Sequence, residues 1–433
     1  MTGFDAVVRV ANLALKSSAE GVETLERYVA RTATAYGIPV DLVVLPEQII
    51  LRETGSENVS QLAVVRATPG IFRLDQLAAL KRVLMQIERG LDADTACRQL
   101  DELEASPPRW PWWARVLGVA LFAAGFAPSV VATWGEVGAA AILGIIMGLL
   151  LVATQGRPLE RLLPFLGAFV ITTLGLIVLP GLVESTGVTL IVLPALFITV
   201  PGDTLSAAAA ELLGMRLTAG AARLVFAFYT LGLIVTGIVA AAGVTGHVDY
   251  LFETVPPPRL PELVVVAAWA VFCVGLVLAF NAEPWVLAWL IPSVILTYLI
   301  QQGATVAAGS VVGTLVAGAL LGAYANIVGA HPERPPRLVL LLGGFFVLTV
   351  GGLGVRGVTA LFGGDPISGL QNLADFALQV PTVALALAIG AIATSRWRVA
   401  RPLRRRRLSR AFRTDVQSSL DQWRQTLRRP LDR

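Results

Sequence analysis

The stretch from Thr186 to Gly214, TGVTLIVLPALFITVPGDTLSAAAAELLG, constrains the fold of this chain more than any other. Its first part is an apolar run long enough to enter a bilayer. Pro201 and Gly202 stop that run, and Asp203, Thr204 and Ser206 open a second, Ala-rich helical segment. Proline lacks the backbone donor and clashes with the preceding turn, so a straight helix through Pro201 would cost roughly 3 kcal/mol. Gly202 is expected to supply the free dihedrals of the break, and Asp203 or Thr204 to cap the helix that restarts. A helix broken inside a membrane exposes backbone polar groups, which survive only when buried in protein or lining a wet cavity. The N-terminus of such a half-helix, with free N–H groups and a positive dipole end, can hold a carboxylate, as in membrane carriers. A proline kink in an ordinary packing helix would account for Pro201 alone. It does not account for Asp203, which costs about 3 kcal/mol near the bilayer centre and should face the protein interior, a partner or water.

The chain has 433 residues, 55% of them hydrophobic, with a mean hydropathy of +0.71, the composition of a polytopic membrane protein with a soluble part. Charge is dense over the first 110 residues and sparse from 112 to 395. The N-terminus lacks the basic, apolar and small-residue blocks of a signal peptide. Thirteen arginines against three aspartates lie between Arg396 and Arg433. After a membrane domain, such a tail reads as a positive-inside anchor for anionic lipid headgroups rather than a nucleic-acid site. Cys97 and Cys273 fall in different regions, and His247 and His331 in expected loops, so neither a disulfide framework nor a metal site is expected. The only lysines are Lys16 and Lys81, which excludes a retinal Schiff base within the membrane. GxSxG, HExxH and Walker patterns are absent, so neither enzymatic chemistry, ATP hydrolysis nor a cofactor is expected.

Helical periodicity over 3–36, short β-rich runs near 40–45, 47–53 and 60–66, and helices at 74–88 and 93–103 predict a small N-terminal α/β domain over 1–108. After an aromatic cluster (Trp110, Trp112, Trp113) come about ten apolar spans, near 112–132, 137–154, 161–183, 187–213, 218–245, 262–281, 284–301, 304–329, 337–362 and 366–395. Those at 187–213 and 337–362 are broken. Arg157, Arg161, Arg216, Arg334, Arg337 and the tail fall on one side with the N-terminal domain. Glu136, Glu184, Asp249, Glu253, Glu262 and Asp365 fall on the other, with Arg259 the exception. The positive-inside rule puts both termini in the cytoplasm.

The two halves echo each other. Val200-Pro201-Gly202 through Gly214 corresponds to Val350-Gly351-Gly352 through Gly364, and Thr218-Ala219-Gly220 to Ile367-Ser368-Gly369 after a one-residue slip. Five spans per copy is an odd number, so the second copy must be inverted. The fold class expected is therefore a mainly α-helical polytopic membrane protein, two inverted five-helix repeats with broken helices plus the α/β domain. The first repeat would cover 109–246 and the second 262–396, around an extracytoplasmic loop at 247–261, with a basic cytoplasmic tail at 397–433.

Over nearly its whole length the chain resembles the threonine/serine exporter family. The resemblance is carried by Leu193-Pro194…Val200-Pro201-Gly202-Asp203…Glu211-Leu212-Leu213 and Thr218-Ala219-Gly220-Ala221-Ala222-Arg223-Leu224. Ala279-Phe280-Asn281-Ala282-Glu283-Pro284 and Ser17-Ser18-Ala19-Glu20-Gly21-Val22-Glu23 add to it. It implies a bacterial inner-membrane exporter of small hydroxy amino acids driven by the proton gradient. The second half departs from the pattern: Gly351-Gly352 replaces Pro-Gly, no acid follows, and Arg356 lies nearby.

Asp203 is the first candidate, pairing with a substrate ammonium or carrying the coupling proton, because burial disfavours a charged carboxylate. Thr204 and Ser206, with Pro201 and Gly202, offer hydroxyls and N–H groups to a substrate carboxylate. Gly351 and Gly352 would complete the site from the second break. On the last span Gln371, Asp375 and Gln379 share one face, with Asn372 and Thr382 beside it. Such a stripe is expected to face the bundle interior, as a pathway or as helix-to-helix glue, with Asp375 a second proton carrier or the neutraliser of Arg356. Arg223 is expected to snorkel to the interface, Asn326 and Glu283 to sit at helix ends, and Thr172 and Thr173 to bond back to their own helix. The partners expected are a small amino acid, protons and membrane lipids, and a homodimer is compatible with the sequence. The alternatives are an exporter of a small carboxylate such as a dicarboxylic acid, and a sensor or scaffold without transport.

Overall fold

In the computed structural model, the residues described are 2–16, 21–54, 61–66, 73–131, 133–179, 187–247, 260–331, 333–348 and 366–395. The soluble domain opens with helices α1 (Gly3–Lys16) and α2 (Val22–Tyr36), the latter ended by Gly37 in the left-handed conformation at φ 69°. Strands β1 (Val40–Leu45), β2 (Gln48–Glu53) and β3 (Leu62–Arg66) form an antiparallel sheet in the order β1-β2-β3. Leu45 pairs with Gln48 and Ile49 with Val65. Helices α3 (Leu74–Glu88) and α4 (Ala93–Ala105) complete the domain. Asp92 caps α4 by accepting from the Thr95 N–H at 2.8 Å. The apolar faces read at helical spacing in α1 and α2, including Val7, Val10, Leu25 and Val29, meet Ile49 and Leu51 of the sheet in one core.

The membrane part follows as α5 (Trp112–Phe126), α6 (Trp134–Thr154), α7 (Leu163–Val178), α8 (Val188–Leu196), α9 (Gly202–Leu213) and α10 (Leu217–Thr245). The second half holds α11 (Glu262–Ala279), α12 (Leu287–Ala308), α13 (Ser310–Gly329), α14 (Arg337–Leu348) and α15 (Pro366–Ala393). Among the described residues, 7 helices are long and apolar enough to cross a membrane, or up to 8 when the bent pair α8–α9 is taken as one span. The sequence expectation of a span boundary between 301 and 304 is corrected: α12 runs on to Ala308, and the turn is at Gly309, φ 92°. The second break, with Gly351, Gly352 and Arg356, lies outside the described residues, as does the tail over 397–433.

Glycines set the closest helix contacts, as packing in lipid favours. Helices α5 and α11 run antiparallel: a Cβ on Gly125 would lie 2.2 Å from the Phe272 nitrogen, and one on Gly275 would lie 2.2 Å from the Phe122 nitrogen. These contacts are reciprocal. Both partners shift together along the chain (Gly125 to Gly275, Phe122 to Phe272), and the two phenylalanine rings meet at 4.6 Å between centroids. A second correspondence joins α7–α10 to α13–α15. A Cβ on Gly237 would lie 2.8 Å from the Cβ of Ala168, and one on Gly318 would lie 2.8 Å from the Cβ of Ala386.

The soluble domain is bolted to the second half through α3. The Leu74 N–H donates to the Phe280 carbonyl at 3.1 Å, and Leu77 packs on Leu338. The Lys81 ammonium donates to the carbonyls of Gly329, His331 and Arg334 at 2.8, 2.9 and 2.9 Å, a cage at the C-terminal end of α13. That end carries the negative pole of the helix dipole, which suits a cation. Arg82 grips both oxygens of Glu283 at 3.0 and 3.1 Å.

Candidate functional site

Leu196 to Val200 leaves α8 through a short 3-10 turn, and α9 restarts at an angle of 60°. Pro201, with φ −80° and ψ 50°, is itself the residue before the new helix, and no side chain caps it. Neither Asp203 nor Thr204 therefore serves as the cap the sequence led us to expect; both lie within the first turn. At that position their own N–H groups have no carbonyl one turn back to bond. Gly202 is also corrected. Its φ is not in the left-handed region and a Cβ there would meet nothing within 4 Å, so neither conformation nor space requires a glycine.

Asp203 is half-buried and its closest side-chain partner is the Thr204 hydroxyl, which donates to Oδ1 at 3.5 Å. Among the described residues it makes no salt bridge. Ser206 is buried, and its hydroxyl donates back to the Gly202 carbonyl at 2.9 Å, leaving oxygen lone pairs to accept. Asp203 and Ser206 border an open cavity of about 480 Å³ lined by α9, α14, α15 and the start of α2. Leu341, Phe345, Leu387 and Ile392 give it an apolar wall. Its polar complement is mixed: Glu23 and Glu211 are acidic, Arg216 and Arg337 basic, and Thr24 and Ser395 carry hydroxyls.

Glu211 was not singled out in the sequence, yet it is the most connected acid of this region. It is 4% exposed, stands 3.2 Å from the Arg223 guanidinium, and accepts the Val22 N–H at 2.9 Å. Arg223 therefore does not snorkel: it is buried and paired across the α9–α10 hairpin, where Gly220 lets α10 approach Leu212. Removing one partner of such a buried pair costs about 3–5 kcal/mol. Beside it Arg216 donates to both oxygens of Glu26 at 2.6 and 2.7 Å. That hydrogen bond, working against partial desolvation, raises the Arg216 pKa above its ordinary value. An acid and a base flanking the Gly214 turn were the available sequence signal for the Glu211–Arg223 pair.

The polar stripe on α15 is split, contrary to the expectation that all of it faces inward. Gln379 is 8% exposed with its carbonyl oxygen unpartnered among the described residues. Asn372 is half-buried, whereas Gln371 and Asp375 are exposed. The Thr382 hydroxyl donates to its own helix at Leu378. Thr172 and Thr173 do not bond back to theirs; both hydroxyl oxygens are buried without a hydrogen-bond partner among the described residues. Asn326 donates to the Ala391 carbonyl at 3.2 Å, a tie between α13 and α15. No group of three or more His, Cys, Asp or Glu able to hold a metal occurs among the described residues.

A bundle of apolar helices, one of them broken over a cavity of mixed charge and covered by a soluble domain, defines a multi-pass membrane protein. Residues 5–245 match the family model described as "Putative threonine/serine exporter". The chain belongs to that family. It is also 28% identical over 407 residues to a protein of Mycobacterium tuberculosis (strain ATCC 25618 / H37Rv) named "Probable threonine/serine exporter", across 90% of this chain and 75% of that one. No solved structure matches it.

Proposed function

We propose that this chain is a secondary transporter that exports threonine or serine, driven by the proton gradient. The observation that carries the reading is the cavity reaching the first turn of α9, with Asp203 at its wall in no salt bridge among the described residues. Its volume, about 480 Å³, falls in the range of roughly 300–1,000 Å³ typical of small-ligand sites. A zwitterion with a hydroxyl needs an anion for its ammonium, donors for its carboxylate and a partner for its oxygen. Asp203, the α9 N–H groups with Arg337, and Ser206 supply these in turn. Asp203 is also the candidate carrier of the coupling proton, as the acid at the break in an apolar run.

The matched contacts of α5 with α11, and of α7–α10 with α13–α15, support two inverted repeats, because a two-fold axis makes each contact recur with its partners exchanged. On that architecture Asn372 and Gln379 belong to the facing half of the pathway, with Asp375 between them on the same helix as a second candidate proton carrier; Gly351, Gly352 and Arg356, proposed for the same half from the sequence, lie outside the described residues. Movement of one half against the other would expose the site alternately. The positive-inside rule places the soluble domain and both termini in the cytoplasm of a bacterial inner membrane.

Efflux of preloaded, labelled threonine from vesicles, with and without a proton gradient, tests this against Asp203→Asn. Gradient-driven flux in the wild type, lost in the variant, is the expected result. Absence of threonine flux from folded wild type would sink the substrate. Arg216 and Arg337 at the cavity favour a second reading, export of a small carboxylate such as a dicarboxylic acid. Competition by analogues lacking the amino group separates the two.

A further inference from the structure

The soluble domain does more than sit over the bundle. Gly21, Glu23 and Thr24, from the start of α2, form part of the cavity's own wall. The same helix start is held by one buried carboxylate: Glu211 accepts the Val22 N–H at 2.9 Å and pairs with Arg223 at 3.2 Å. Glu211 thus answers two charges at once, a guanidinium and the positive end of the α2 dipole. A few residues away the two-pronged Glu26–Arg216 bond ties α2 to the α9–α10 turn, and Ala219 of α10 packs within the soluble domain's core. Helix α2 grips the first membrane half by these contacts, while α3 grips the second through Phe280, Glu283 and the carbonyl cage around Lys81. The domain therefore straddles both halves at the mouth of the cavity.

We propose that the soluble domain is the gate of this cavity and that Glu211 is its latch: passage between the cavity and the side bearing the soluble domain requires the N-terminus of α2 to leave Glu211. The inference deepens the transport reading and rests on it. Glu211 holds both the Arg223 guanidinium and the Val22 N–H when the latch is closed, and opening it also requires the Glu26–Arg216 bond beside the exposed Leu213 and Gly214 to part. Glu211 acts here through position; it need not touch the substrate.

A cysteine placed at Ala207, on the cavity wall, reports access to a membrane-impermeant maleimide. The native Cys97 and Cys273 are buried. Glu211→Ala should speed that labelling, and amide exchange at Val22 to Leu25, by at least about ten-fold while exchange in the α5–α11 core stays unchanged. Wild-type rates in the folded variant would overturn the proposal. A second arm closes the gate instead. A Cβ on Gly21 would lie 3.7 Å from the Glu211 Cγ, so the pair Gly21→Cys and Glu211→Cys is the one to cross-link. Oxidation should abolish threonine efflux and reduction restore it; equal flux in both forms would overturn the gate. Labelling and exchange use no substrate, so a chain without threonine flux would fail the transport reading and still be judged on the latch.

Discussion

Asp203 occupies the second position of α9, its closest side-chain partner among the described residues being the Thr204 hydroxyl, and the residue before it has open space where a Cβ would go. Gly202→Ala should therefore fold and melt as the wild type does, because the added methyl meets nothing within 4 Å; a lowered melting temperature would show that the break does need glycine. Gln379 offers a different test. Its buried, unpartnered oxygen carries a desolvation penalty of about 1–3 kcal/mol, so Gln379→Leu should hold or raise the melting temperature. Falling efflux in that stable variant would place Gln379 on the pathway, whereas intact efflux would leave it a packing residue. Glu283 supplies the pH dependence. Burial works to raise its pKa, but the hydrogen bonds from Arg82 and Trp285 and the charges of Arg82 and Arg109 outweigh it, and the net shift is downward from the usual 4.5. A lowered folded pKa means the stabilisation is complete above pH 4.5 and is lost as pH falls through the folded value. Exchange protection of α3 should decline over that acid range in the wild type and be flat with pH in Glu283→Gln. Asp203 was legible in the sequence because a lone acid in an apolar break is costly and visible. Glu211 was harder to read: an acid and a base flank the Gly214 turn, but its contact with Val22 is made only by the fold.

Among the elements, the apolar spans were largely legible, since hydrocarbon demands long uninterrupted runs and the chain supplies them. The error at 301–304 has a plain cause. Gln301, Gln302 and Gly303 look like a turn but belong to α12, where Gln301 and Gln302 take half-buried and exposed places on the helix surface, and the turn waits for Gly309. The break at Pro201 was read correctly in position and wrongly in mechanism: it forms without a side-chain cap and without a conformational need for Gly202. The α5–α11 contact yields a prediction at this scale. Gly125→Ala and Gly275→Ala each place a methyl 2.2 Å from backbone nitrogen, where nothing can yield cheaply. Each should destabilise by about 1–3 kcal/mol or more and by similar amounts, as reciprocal contacts require. Gly232→Ala, with nothing within 4 Å, is the control and should leave thermal unfolding unchanged.

At the scale of the whole molecule, the repeat read from matching letters stands as a proposal supported by the reciprocal glycine contacts, and its second break lies outside the described residues. The place of the soluble domain was not legible in the sequence. Its contacts join residues up to about 250 positions apart, such as Lys81 with the carbonyls around Gly329 and Arg334, and no local pattern announces them. Lys81→Met keeps the length of the side chain and removes the ammonium, leaving those carbonyls without their donor; the second half should loosen from α3, seen as faster exchange in both. The close meeting of α5 and α11 bears on how such a molecule can move. Glycine against backbone at Gly118, Gly125 and Gly275 leaves no room for these two helices to slide or roll over each other. They make a fulcrum. On the transport reading, a swing that uncovers the cavity is carried by the outer arms, α8–α10 and their described counterparts α14 and α15, turning about that post. Distance probes set on the post would then read one value through the whole cycle, and probes on the arms would read two.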